Sequence, residues 1–91
     1  FRDGQWVEDR SRAQGRRYLA WLEQVRGKKV VAIELGAGTA IPTVRYECER
    51  RATTLIRITP REAAVPTGGI GLASSALVAL QRLQREMERI R

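Results

Sequence analysis

The stretch that most constrains this chain is Lys29 to Arg45, KVVAIELGAGTAIPTVR. It opens with a β-branched, nearly continuous apolar run to Leu35, which suits a strand covered on both faces in a parallel sheet. Glu34 is the one exception. Gly36-Ala37-Gly38-Thr39 follows, and then Pro42 sits where a first helical turn tolerates a missing N–H. The helix that begins there places Val44 and Cys48 on one face and should end near Arg50 or Arg51. Thr54 to Thr59, TLIRIT, alternates apolar and polar residues as a second strand, and its distance from the first fits a crossover helix. Together these elements make a βαβ unit.

The flanks complete an α/β fold. Upstream, a helical pattern runs from about Val7 to Val25, with Tyr18, Leu22 and Val25 on one face and Gly27 as its stop. Downstream, Pro60, Pro66, Gly68, Gly69 and Gly71 mark a loop, and Ile70 to Leu72 is a short third strand. A final amphipathic helix reaches about Arg89, with Leu72, Ala76, Leu80, Leu83, Met87 and Ile90 recurring every three or four residues. That stripe reads as core, or as a surface for another part of the protein. The architecture expected is a partial Rossmann-like βαβ unit with a short parallel sheet, an N-terminal helix and a C-terminal amphipathic helix. Three helices are too few to cover such a sheet, so at least one strand edge should stay open. Self-association, a projecting helix, or a flat apolar surface around Leu35, Ile56 and Ile58 should follow.

A strand that ends in Gly-x-Gly and leads into a helix lets backbone N–H groups approach an anion, and Thr39 adds a hydroxyl. The same string also serves as a plain structural turn. The third glycine of the dinucleotide fingerprint is absent, and no acid follows about 20 residues later. The bare motif leaves both readings open.

Composition narrows the chemistry. The 91 residues contain no histidine, the commonest general base near neutral pH and the commonest metal ligand. A single cysteine, Cys48, permits neither an internal disulfide nor a four-cysteine zinc site. It is expected to act as a small buried hydrophobe, in a reducing cytoplasm. No apolar run approaches the ~18 residues of a membrane span, so no membrane partner is expected. The net charge of +7 favours phosphates, nucleic acid or anionic surfaces. Arg10, Arg12, Arg16 and Arg17 beside Trp6, Tyr18 and Trp21 resemble a base-stacking surface, but aromatic residues on such a helix more commonly form core. Glu34, inside an apolar strand, reads as one member of an internal ion pair with Arg45 or Arg57 ahead of a catalytic carboxylate, since perturbed carboxylates occur in both settings. Arg61 is either a phosphate ligand or a plain loop arginine.

Taken in order, FRD, VVAIELGAGTAIPTVR and TTLIRITPRE resemble the C-terminal half of the sirtuins, NAD-dependent protein deacylases, closest to a bacterial branch. In that family a Phe-Gly-Glu stretch lies at the acyl-peptide groove. Gly-Thr-Ser meets the NAD phosphates after one strand, and Ile-Asn at the end of the next lies near the adenosine ribose. The resemblance implies that Phe1 matches the family phenylalanine, with Arg2 in place of glycine and Asp3 in place of glutamate at the substrate groove. Gly38 and Thr39 match at the phosphates, Ala40 replaces serine, and Thr59 replaces the ribose asparagine. With Gly36 and Arg61 these form the expected cofactor site, and no residue of the chain is expected to be catalytic or to bind metal.

The family's first glycine-rich loop, catalytic histidine and zinc-bearing cysteine module all precede the Phe-Gly-Glu position. The chain is therefore expected to be one incomplete domain. Residues 1–28 would be a groove-loop remnant and helix, and residues 29–91 the βαβ unit and final helix. It would share NAD with a missing N-terminal part, leave zinc and the acyl-lysine substrate to that parent, and be inactive alone. The reading from a different class is a small basic nucleic-acid-binding module.

Overall fold

A computed structural model describes the backbone of residues 2–40 and 42–91 and the side chains of residues 7–40 and 42–91. Its elements are α1 (Arg2–Gln24), β1 (Val31–Leu35), α2 (Thr43–Arg51), β2 (Thr54–Thr59), β3 (Ile70–Ala73) and α3 (Ala76–Arg89). The strands form the short parallel sheet that the sequence predicts, in the order β1-β2-β3. The registers Glu34↔Arg57↔Gly71 and Ile33↔Ile56↔Ile70 sort the side chains onto two faces.

The first face carries Glu34, Leu55, Arg57, Thr59 and Gly71. It is covered by α2, whose Glu49 lies 3.7 Å from Arg57, and by the loop from β2 to β3, whose Ala64 carbonyl accepts from Arg57 Nη1 at 2.8 Å. A parallel connection must run back across the sheet. Here it does so without a helix, so close that a Cβ on Gly71 would overlap the Ala63 carbonyl oxygen. The second face carries Val31, Ile33, Leu35, Ile56, Ile58 and Leu72. Since α2 and the loop occupy the first face, the complete burial of Ile58 places α3, which packs on β2, over the second. Ser75 caps α3 by accepting from the Val78 amide at 3.3 Å.

Several expectations are corrected. Helix α1 begins at Arg2 rather than Val7, so residues 2 to 6 are helical and not a loop. Tyr18 and Trp21 are exposed instead of core, because α1 makes only marginal contact with the other elements among the described residues. On α3 the inward face is Ala76, Ala79 and Leu83, while Leu80, Met87 and Ile90 are exposed, since none of the described residues covers the distal part of the helix. Pro42 caps α2 rather than entering it, and Val44 points to solvent while Arg45 is buried. Of the predicted apolar surface, Leu35 is open, Ile56 half-buried and Ile58 fully buried by α3. Helix α1 projects, and the radius of gyration is 16.0 Å, against about 12 Å for a compact domain of this length.

Candidate functional site

The carboxyl ends of β1 and β2 lie side by side, so the segments that leave them, 36–40 and 60–62, meet above the sheet. Crevices of α/β sheets form at such ends. Gly36 leaves β1 with φ +63, a left-handed conformation that favours glycine, and its amide donates to the Ile58 carbonyl at 2.8 Å. Its N–H is therefore committed to the sheet, and Gly36 shapes the turn. Gly38 is different: a Cβ there would meet nothing within 4 Å, so the space above it is open. Among the described residues, the amides of Gly38, Thr39 and Ala40 donate to no other backbone group.

Arg45 ties the two segments together. Projecting inward from α2, it donates from Nε to the Ala37 carbonyl at 3.0 Å and from Nη2 to the Glu62 carbonyl at 2.8 Å. The Thr39 hydroxyl adds a third link, donating to Glu62 Oε2 at 2.7 Å. Glu62 is held at φ +58, an uncommon conformation for a residue with a Cβ. Thr59 is buried at the end of β2, and Arg61 is exposed on the loop. The structure thus joins the Gly38 to Ala40 turn to the 59–62 segment. Phe1 lies outside the described residues, as does the Asp3 side chain, so the substrate-groove expectation falls there.

Sequence reasoning missed Arg45 as a strut and Glu62 as a site residue. Spacing carries a signal only for Arg45, which lies three residues before Cys48 on the inner face of α2. Glu34 does find its internal cation, and it is Arg57. The guanidinium donates from Nε at 2.5 Å and from Nη2 at 3.0 Å, a two-pronged pairing. These bonds push the Arg57 pKa up, so the guanidinium stays charged. Cys48, half-buried beside it, has its thiol pushed up by burial and by the Glu34 charge. A raised thiol is a poor nucleophile, and Cys48 is half-buried rather than buried as expected.

The chemistry of the turn suits a phosphate: open backbone amides, one hydroxyl and the start of a helix with no acidic residue in its first turn. The Glu62 carboxylate opposes a phosphate at Thr39 but accepts well from a sugar hydroxyl. At the other end of the sheet, a hollow of about 230 Å³ is lined by Arg26, Lys28, Arg50 and Arg51. Three of these cations are engaged, Arg26 with Glu23 and both Arg50 and Arg51 with Glu47. Comparison of the chain with protein-family models, curated proteins and solved structures finds no match.

Proposed function

We propose that the carboxyl end of this sheet is the phosphate and adenosine side of an NAD site, in the C-terminal portion of a sirtuin-like protein lysine deacylase. The observation that carries this reading is the convergence of Gly38 to Ala40 with Thr59 to Glu62 at the ends of neighbouring strands. In it, the open amides of Gly38 to Ala40 hold the pyrophosphate, Arg61 adds charge, and Thr59 and the Thr39–Glu62 pair serve the ribose. Bound NAD would supply the electrophilic ribose carbon of deacylation. The chain has no histidine, so base catalysis and the zinc module belong to another part of the parent, and the chain alone is inactive.

An amide NMR titration of the 91-residue chain with NAD tests the site. Binding should be weak, with Kd on the order of 1 mM, and shifts should be confined to residues 36–40 and 59–62. Gly38→Val should abolish them. Unchanged amides in those segments at roughly 10 mM NAD would remove the reading.

One observation favours a second reading, a nucleic-acid interface. Tyr18 and Trp21 stack on each other, 6.2 Å between centroids and 22° between planes, and remain exposed on α1 with Arg12, Arg16 and Arg17. Retention of single-stranded RNA or DNA in a gel shift, falling steeply with salt, would support it. No retention at low salt would eliminate it.

A further inference from the structure

The outer edge of β1 has an unusual composition. In a parallel strand the N–H and C=O of one residue point to the same side, and successive residues alternate. The Thr54 amide donates to the Val30 carbonyl at 3.1 Å and the Gly36 amide to the Ile58 carbonyl at 2.8 Å. Residues 30, 32, 34 and 36 therefore face β2, and Val31, Ile33 and Leu35 aim their amides and carbonyls outward. Those same three residues carry the uncovered side chains of the second face, 61%, 54% and 46% exposed. Among the described residues no strand lies beyond β1.

Total exposure says how much is left uncovered. The accessible surface is 7717 Å² for a 10.3 kDa chain, where a folded monomer of that mass exposes about 5,400 Å². The excess, roughly 2,300 Å², is shared by the projecting α1, the distal part of α3 and the β1 edge, so the chain leaves more than the ~800 Å² per partner of a standard interface uncovered in all. The other sheet edge, β3, aims only Gly71 and Ala73 outward by the same alternation, from the Ser74 amide bonded to the Thr59 carbonyl.

We infer that β1 pairs antiparallel with β1 of a second copy, across a two-fold axis beside Ile33, to make one continuous six-stranded sheet. The strand is self-complementary in that register. Ile33 faces Ile33 of the partner copy and Val31 faces Leu35, each pair hydrogen-bonded, which gives about six N–H···O bonds across the edge. Side chains opposite one another share a face, so the three exposed residues of each copy join into one apolar strip. The buried Glu34–Arg57 pair lies on the other face and is undisturbed. With +7 on each copy, repulsion works against association, so added salt should tighten the dimer.

Sedimentation equilibrium and concentration-dependent hydrogen exchange on the 91-residue chain test the pairing. The expected result is twice the 10.3 kDa chain mass, tighter in salt, with the Val31, Ile33 and Leu35 amides protected as concentration rises. Ile33→Lys changes an exposed position twice per interface and should weaken the dimer on the order of 100-fold. Should that variant lose its fold, amide protection in the unaltered chain decides alone. A monomer at high concentration with those amides in fast exchange overturns the pairing. So does a dimer that leaves them unprotected or that survives Ile33→Lys in a folded chain.

Discussion

The two faces of the sheet contradict the usual sorting of residues in opposite ways. The face under α2 buries charge: Glu34, Arg45 and Arg57 are nearly inaccessible, yet every buried polar side-chain atom described has a partner. The other face, along β1, exposes Val31, Ile33 and Leu35 to water. The contrast occurs within a single strand, where Glu34 is hidden between two open apolar neighbours. One layer is finished and the other is not. A buried ion pair adds little net stability over an apolar pair, but it is costly to break, so the finished face is brittle to single substitutions while the open face tolerates them until something docks there.

Breaking the finished face should produce the largest effect. Arg57→Leu leaves the Glu34 carboxylate buried without its cation and should cost about 3–5 kcal/mol, enough to unfold a domain of this size. Urea denaturation followed by circular dichroism measures it. Replacing both members, Glu34→Leu with Arg57→Met, should recover most of the loss; a double variant as unstable as the single one would show that the pair is essential beyond its charge.

Next in size is Gly71→Ala. The added methyl meets the Ala63 backbone where the loop crosses the sheet and should cost about 2 kcal/mol, whereas Gly38→Ala, facing open space, should be nearly silent. Equal effects would mean that the loop does not cross where it is described.

Arg45→Ala removes the strut between the Gly38 turn and the 60–62 loop and should cost about 1–2 kcal/mol. Its sharper sign is local: the amide resonances of Gly38 and Thr39 should shift more than those of β2.

The smallest effect concerns α1. Glu47 accepts hydrogen bonds from Arg51, Arg50 and Tyr18, which lower its carboxyl from 4.5 to about 2. A depressed carboxylate stabilises the folded chain above pH 4.5 and loses that contribution as pH falls toward 2. In that window the contact from the Tyr18 hydroxyl to Glu47, 3.0 Å long, should loosen. Tryptophan fluorescence, which senses Trp21 beside Tyr18, should follow the loosening, and Glu47→Gln should remove the transition.

Much of this chain is legible locally. The β-branched run before Gly36, the left-handed turn that needs glycine, the alternation in TLIRIT and the stop at Gly27 each depend on a few neighbouring residues. They yield the parallel sheet and element boundaries within a few residues. The Gly38–Thr39 half of the candidate site is legible for the same reason, and so is the need of Glu34 for an internal cation.

What a residue faces across space is not local. Arg57 serves Glu34 because the β1–β2 register sets the two side by side on one face, while the face that α2 lays on the sheet sends Arg45 to the site. Glu62 joins Thr39 only because neighbouring parallel strands deliver their following loops to the same end of the sheet. The sequence by itself determined the order and kind of the elements, since backbone preferences and periodicity act over a few residues. Tertiary structure alone decided that Ile58 is buried while Ile33 and Leu35 are not, because burial depends on how many other elements are present to cover a face, and no single strand encodes that.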